Sequence, residues 1–234
     1  MSFHSRTCID CAQRRRGFLS RLPPGMRDDV ACVLRPRSLT PGTVLVEGGR
    51  PSLIVHAVQE GMAKVEAEGP HGHTRIVDLL GPGSLAGLEA VFDRPAPFTV
   101  RAVTPMVTCQ APAGDFRQLL QREGVAGGLA DHLLCVLERA GDRLRGLGAN
   151  TAVERLAAFL VDGPLPIEGP GRLRLPLKRR EIAALLGITP ETVARSLHAL
   201  TEEGLIVVNG DRVTILEEEQ LILRADGENP ASGG

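Results

Sequence analysis

The sequence predicts an α+β protein built from three successive parts. Short β-type segments separated by glycines run from Leu39 to about Pro112, a pattern typical of an antiparallel β-roll. Apolar residues at spacings of three and four then predict one long helix over residues 123–148. A helix, a glycine turn, a second helix and a hairpin follow within residues 149–220, which predicts a winged helix-turn-helix. We expect the first part to occupy residues 1–122 and residues 221–234 to be a flexible tail.

Six segments carry the β-type pattern, and glycines or prolines punctuate them. They are TVLVEG, LIVHAVQEG, MAKVEAEG, TRIVDLLGPG, FTVRAV and MVTCQAP. Many short strands joined by such turns favour a cupin-like jelly roll, in which the strands close on themselves. A short helix around residues 25–34 is expected before the first strand.

The long helix has a narrow apolar stripe, and its other faces are charged. The stripe consists of Leu129, Leu133, Val136, Ala140, Leu144 and Leu147, and Leu137 widens it. Two interpretations are open, because the helix could pack on its own domain or form a seam between two copies of the chain. The narrowness of the stripe favours the seam, and therefore a homodimer.

The segment KRREIAALLGITPETVARSLHALTEEGLI has the start and stop signals of two consecutive helices. Gly187 permits the backbone angles that end the first helix, Thr189 is suited to cap the second, and Pro190 suits its first position. The following GLIVVNGDRVTIL reads as two strands around an Asn-Gly-Asp turn. If the second helix enters a DNA major groove, its exposed first turn faces the base edges.

Individual side chains in this segment suit particular contacts with double-stranded DNA. Arg195 can donate two hydrogen bonds to a guanine edge, and Glu191 can accept one from a cytosine amino group. Contacts to phosphate, which fix register without reading sequence, are expected from Arg179, Arg180, Thr189 and Thr192. The net charge of −1 argues against a general polyanion binder, so the basic residues must act locally.

A β-roll, a long helix and a winged helix-turn-helix, in this order, resemble the Crp/Fnr family of bacterial transcription regulators. VERLAAFL resembles the segment after the family's dimerisation helix, and PETVAR resembles its recognition helix. The resemblance implies a homodimer that binds an inverted DNA repeat and contacts RNA polymerase if it is an activator. It also implies that Glu191 and Arg195 read a TGA core. Pro190 and Ala194 differ from the residues of Crp and Fnr respectively, and a TTGA-type half-site is expected.

The same resemblance suggests an oxygen or redox signal. Cys8 and Cys11 form a Cys-x-x-Cys pair, and Cys109 matches the distant cysteine that completes an iron–sulfur site in Fnr. The third N-terminal cysteine of that site is missing, so a cluster would need another ligand, such as His4, Asp10 or Cys32. A dithiol switch, a zinc pair and cysteines without a function are the alternatives. On the long helix, Asp142 matches an acidic position that opposes dimerisation in Fnr.

Other signals and activities have weaker support in the sequence. Crp-type proteins bind cyclic AMP through a Glu and an Arg-Ser pair, whose positions are occupied here by Ser84 and by Ala96 and Pro97. Without that arginine we do not expect cyclic AMP in the Crp manner. A small ligand in the β-roll, or a haem-bound gas with His71 or His73 as ligand, is an alternative. An enzyme of the thiol oxidoreductase class is not expected, because the cysteine pair lacks a βαβ context.

The remaining bulk features concern location and thiol chemistry. The first 17 residues lack the apolar core of a secretory signal, and no stretch approaches the length of a membrane span. Five cysteines cannot all pair within one chain. We therefore expect a cytoplasmic protein without a membrane partner, in which Cys135 and Cys32 are simple packing residues.

Overall fold

The structure is a computed structural model that describes residues 12–15, 17–69 and 74–227. It divides into two compact units, one made of Met1–Thr74 with Asp78–Glu138 and the other of Arg75–Val77 with Arg139–Gly234. The predictions for His4, Cys8, Asp10, Cys11, His71 and His73 lie outside the described residues.

The first unit contains the predicted antiparallel β-roll, which is confirmed. Its strands are β1 (Arg35–Leu39), β2 (Val44–Val46), β3 (Ile54–Glu60), β4 (Ala63–Glu68), β5 (Thr74–Leu80), β6 (Leu85–Ala86), β7 (Thr99–Ala102) and β8 (Met106–Pro112). They form two sheets with the orders β1-β8-β3-β6 and β2-β7-β4-β5. A buried cluster draws residues from both sheets, including Val46, Val58, Val65, Val100 and Met106. β1 was not predicted, because it is an arginine-rich strand that forms by pairing with β8.

A layer of helices covers the first of these sheets. It comprises α1 (Ala12–Arg15), a 3₁₀ turn (Phe18–Arg21), α2 (Pro24–Val33) and α3 (Ala113–Leu120). Phe18 and Phe116 lie with ring centroids 5.7 Å apart in a buried cluster that also contains Val55 and Ala111 of the sheet. The short helix expected at 25–34 is therefore present, and it is part of a packed layer.

The predicted long helix is α4, which spans Val125–Ala149. It begins and ends within two residues of the predicted bounds of 123–148. No helix of the described residues is long and apolar enough to cross a membrane.

The second unit contains the winged helix-turn-helix. Its elements after α4 are α5 (Ala152–Asp162), β9 (Ile167–Gly169), β10 (Arg172–Arg174), α6 (Arg179–Leu186), α7 (Pro190–Glu202), β11 (Ile206–Asn209), β12 (Arg212–Ile215) and α8 (Glu218–Ala225). Thr151 caps α5 in a capping box with Glu154. The predicted hairpin β11–β12 belongs to a four-stranded sheet of order β11-β12-β10-β9. The segment GPLPIEGPG, whose glycines and prolines favour a loop, contains a strand, β9, which is stabilised by pairing with β10.

The expectation of a flexible tail over 221–234 is wrong for its first part. Residues 218–225 form α8, in which Leu221 is fully buried. The Arg224 guanidinium lies 3.3 Å from a carboxylate oxygen of Glu154 on α5 and 3.1 Å from one of Glu203, which follows α7. These contacts hold α8 against its own domain.

The start of the described chain is fastened to the β-roll by one buried side chain. Gln13, 1% exposed, donates from Nε2 to the carbonyl oxygens of Val58 and Ser84, each at 3.1 Å. Its Oε1 accepts from the Phe18 amide at 3.1 Å. A Cβ at Gly17 would lie 2.2 Å from this Oε1 and 2.8 Å from the Gly83 carbonyl oxygen, so a larger residue would displace the Gln13 side chain and press on backbone. The segment that follows Cys11 is thus tied to strand β3.

We predict that Gln13→Leu lowers the free energy of unfolding by about 1–3 kcal/mol, since two buried carbonyl oxygens lose a donor and the Phe18 amide loses its acceptor. Urea unfolding followed by circular dichroism measures this, because the chain has no Trp or Tyr. Gln121→Leu makes the same chemical change at an exposed position and is the control. Equal midpoints for the two variants would contradict the role of Gln13.

Candidate functional site

The second helix of the helix-turn-helix, α7, has an inward and an outward face. Val193, Leu197 and Leu200 are at most 4% exposed and anchor the inward face. Glu191, Ala194 and Arg195 are exposed on the other side of the first turns. The helical period, in which residues four apart share a face, therefore presents the two predicted base-reading side chains together.

Local backbone geometry fixes where α7 begins. Gly187 ends α6 in the left-handed conformation, with φ of 65°. Thr189 is the N-cap of α7, and its Oγ1 accepts a hydrogen bond from the Thr192 amide at 3.2 Å. Pro190 occupies the first turn, where its missing amide hydrogen costs nothing. The predicted turn and cap are both confirmed.

The outward face combines a carboxylate acceptor with a cationic donor. A hydrogen bond from its own backbone amide, helped by the Thr189 hydroxyl and the charge of Arg195, lowers the pKa of Glu191. Glu191 is therefore an ionised acceptor at neutral pH. Arg195 Nη2 lies 3.1 Å from Thr192 Oγ1, which steadies the guanidinium at the surface. This arrangement can accept from one base and donate to another.

Basic side chains surround the start of α6. Lys178, Arg179 and Arg180 are all exposed, and the Lys178 amide donates to Glu181 Oε2 at 2.9 Å. The helix start is thus capped by Glu181 while the cations remain at the surface. This is the position at which phosphate contacts from Arg179 and Arg180 were expected.

The four-stranded sheet β11-β12-β10-β9, which we call the wing, carries a group of four charged side chains that no sequence motif marks. Arg174 and Arg212 lie directly opposite each other on β10 and β12. Arg174 Nε lies 2.8 Å from Asp211 Oδ2, and Arg212 Nε lies 2.9 Å from Glu168 Oε2. We call these four residues the wing charge cluster. Sequence patterns do not reveal it, since its partners are 37 and 44 residues apart.

The exposed face of α4 differs from the predicted seam. Leu129 is 5% exposed and packs in the core of the first unit, so its assignment to a dimer seam is wrong. The most exposed leucines of α4 are Leu134, Leu137 and Leu144, at 58%, 68% and 69%. Spacings of three and seven place them on one helical face with Gly141. The alternating three- and four-residue spacing of heptad positions 134, 137, 141 and 144 was the signal that could have identified Leu134.

The other predicted seam residues flank this face. They are Leu133, Val136, Ala140, Asp142 and Leu147, and all are exposed. Asp142 forms an ion pair with Arg145 one turn further along the same helix.

Of the predicted ligand set Cys8, Cys11 and Cys109, the structure describes Cys109. It lies on β8, is partly buried, and has its Sγ 3.6 Å from Gln59 Oε1 on β3. Cys32 lies on α2 as expected but is exposed, so its interpretation as a buried packing residue is wrong. On α4, Cys135 is partly buried and its Sγ accepts from Arg21 Nη2 at 3.3 Å. Within the described ranges, no three His, Cys, Asp or Glu side chains are grouped to hold a metal ion.

The positions that would bind a cyclic nucleotide in the Crp manner are used for other contacts. Ala96 is 2% exposed, and its amide and carbonyl bond to Arg50 and Gly49. Its methyl belongs to the core between the two sheets. Ser84 gives its carbonyl oxygen to the Val58 amide and to Gln13. The Ala96 amide is already bonded to the Arg50 carbonyl oxygen, so this residue offers a phosphate no free hydrogen-bond donor.

Comparison with protein families matches both units. Residues 36–123 match the cyclic nucleotide-binding domain, and residues 154–224 match the Crp-like helix-turn-helix domain. The two matches cover the β-roll and the unit that contains α7.

Individual relatives match over most of the chain. The transcriptional activator protein FnrL of Cereibacter sphaeroides is 28% identical over 97% of this chain and 94% of its own length. The nitrogen fixation regulation protein FixK of Rhizobium meliloti is 33% identical over 77% of this chain and 82% of its own. The solved structure of FixK2 from Bradyrhizobium japonicum superposes with a TM-score of 0.71 at 25% identity, covering 81% of this chain and 96% of that one.

Proposed function

This chain belongs to the Crp/Fnr family of DNA-binding transcription regulators, on its Fnr-like branch, and we propose that it binds inverted DNA repeats as a homodimer. The exposed pair Glu191 and Arg195 on α7 is the observation that carries the proposal. In each half-site Arg195 donates to guanine, and Glu191 accepts from cytosine in a TTGA-type sequence. Relatives such as FnrL are named activators, so we extend the proposal to activation and contact with RNA polymerase.

Phosphate contacts complete the proposed interface. Arg179 and Arg180 at the start of α6, with Thr189 and Thr192 around the start of α7, are at or near the surface. Hydrogen bonds and charge at these positions hold the DNA sugar-phosphate backbone on either side of the bases. They set the register in which Arg195 meets its guanine, while adding affinity for every sequence.

Homodimerisation is supported by the exposed leucines of α4. A row formed by Leu134, Leu137 and Leu144 would be an unusual apolar surface in a monomer, and its spacing suits a coiled-coil seam. Two copies related by a two-fold axis would place their α7 helices on inverted half-sites.

A redox signal is the second part of the proposal. Gln13 lies two residues after Cys11, and its side chain binds the carbonyl of Val58. Gln59, which follows Val58 on β3, contacts the Cys109 thiol. The N-terminal cysteines are thus joined by a short chain to the strand beside Cys109, which supports their acting together. If bound by these thiolates, an iron–sulfur cluster would supply oxygen-sensitive chemistry. If no cluster is bound, we propose that the Cys8–Cys11 pair acts as a dithiol switch.

We predict that Arg195→Ala loses discrimination at the guanine, at a cost of roughly 1–3 kcal/mol, because its two donors are removed. Titration of an inverted TTGA repeat and of a scrambled duplex measures this. Arg179→Ala is the matched control and should weaken both duplexes nearly equally. If Arg195→Ala also weakens both equally, Arg195 is not reading a base.

For the dimer, we predict that Leu137→Glu produces monomers at micromolar concentration, because a buried seam would contain two unpaired carboxylates. Asp142→Ala should act in the opposite direction, since like charges flanking the seam no longer repel. Sedimentation equilibrium measures both. A Leu137→Glu protein that stays dimeric would place the interface elsewhere.

For the signal, we predict that Cys8→Ser, Cys11→Ser and Cys109→Ser cause the same loss of response, with Cys135→Ser as the neutral control. The measurement compares anaerobic and air-exposed protein by iron content, visible spectrum and DNA affinity. Iron that is lost in air supports a cluster, and a colourless protein that responds to dithiothreitol supports a thiol switch. Metal-free protein in which Cys8→Ser binds DNA like wild type in both states contradicts both.

A further inference from the structure

The wing charge cluster brings two arginines together on an exposed face of a sheet. Arg174 and Arg212 are directly opposite each other in an antiparallel pair, where like charges repel. Their side chains are 49% and 69% exposed. Water therefore solvates both guanidinium groups, and neither needs a carboxylate partner because of burial. Asp211 and Glu168 offset both positive charges. A DNA phosphate could be held by the same donors.

The cluster lies close in the chain to the proposed phosphate contacts of α6. The Leu175 amide bonds to the Asp211 carbonyl oxygen at 2.6 Å, which fastens the hairpin turn to the end of β10. Only four residues separate Arg174 from Arg179 along the chain. A phosphate backbone held at the start of α6 would therefore run near the wing arginines.

We propose that Asp211 and Glu168 are internal competitors of DNA phosphate for the guanidinium groups of Arg174 and Arg212. The inference rests on the proposed DNA-binding function, which it deepens by assigning a regulating role to the wing. Each arginine can hold either its carboxylate or a phosphate, so the wing of the wild-type protein adds little affinity. The wing thereby limits binding to non-specific DNA.

The energetics favour reversible exchange of carboxylate for phosphate on each guanidinium group over a permanent ion pair. Exposed ion pairs are weak, so phosphate can replace the carboxylate. The hydrogen bond from Arg174 lowers the pKa of Asp211, which therefore remains an ionised competitor at neutral pH. In the DNA-bound state the displaced carboxylate still lies near phosphate and repels it. Both effects cancel most of the affinity that a free arginine would contribute.

Asp211→Asn tests the proposal, because it removes the competing charge and leaves Arg174 in place. Titrations use an inverted TTGA repeat and its scrambled duplex at salt concentrations from 50 to 200 mM. We expect both duplexes to bind about threefold to tenfold more tightly at 50 mM, with a salt slope steeper by about 0.9, because the wing then presents one more net positive charge to the phosphates. The gain should shrink about threefold at 200 mM. Glu168→Gln should do the same through Arg212.

The controls separate a local effect from a change in overall charge. Glu219→Gln removes one negative charge from an exposed position on α8 and should change neither affinity nor slope. Adding Arg174→Gln to Asp211→Asn should return both quantities to nearly wild-type values. Thermal melting of each variant establishes that the domain is folded.

Several outcomes would overturn the proposal. Asp211→Asn could behave like Glu219→Gln, it could bind DNA more weakly with a lower melting temperature, or the double variant could retain the gain. Failure of the proposed function looks different: the wild type would bind the repeat and the scrambled duplex equally. A steeper slope for Asp211→Asn on the scrambled duplex would then still support the wing proposal. A protein that binds neither duplex at 50 mM contradicts both.

Discussion

Burial of one face of α7 is the constraint on which the DNA-binding unit depends. Burial of Val193, Leu197 and Leu200 fixes the rotation of this helix, because any other rotation would expose these apolar side chains to water. Once they are inside, the helical period leaves Glu191 and Arg195 outside. The Thr189 cap and the left-handed Gly187 determine where the helix starts, and therefore which residues occupy its exposed first turn.

The elements that could be predicted from the sequence are those determined by near neighbours. A glycine turn, a Thr cap with Pro after it and an apolar period are local features, and they gave the helix-turn-helix and α4. β9 and α8 could not be predicted in this way. β9 depends on pairing with β10, and α8 depends on burial of Leu221 and on Arg224, whose partners lie 21 and 70 residues away.

In the candidate site, too, the residues set by local helical geometry could be predicted, and those that depend on distant contacts could not. The exposed positions of Glu191, Ala194 and Arg195 follow from helical geometry. Leu129 was misassigned because a period identifies an apolar stripe without showing what covers it, and here the core of the β-roll unit covers its first residue. Exposure is the observation on which we propose the Leu134, Leu137 and Leu144 row as the contact surface for a second copy. The paired charges of the wing are invisible to any local pattern, since strand register brings them together.

Recovery of bound duplexes from a random pool tests whether paired α7 helices read DNA bases, because it assumes nothing about the target. We expect enrichment of inverted TTGA-type half-sites with centres about one helical turn apart, and the strongest base preference at the guanine and its neighbours. A bound pool without an inverted repeat, or one that shows no preference at any base, would contradict base reading by paired α7 helices.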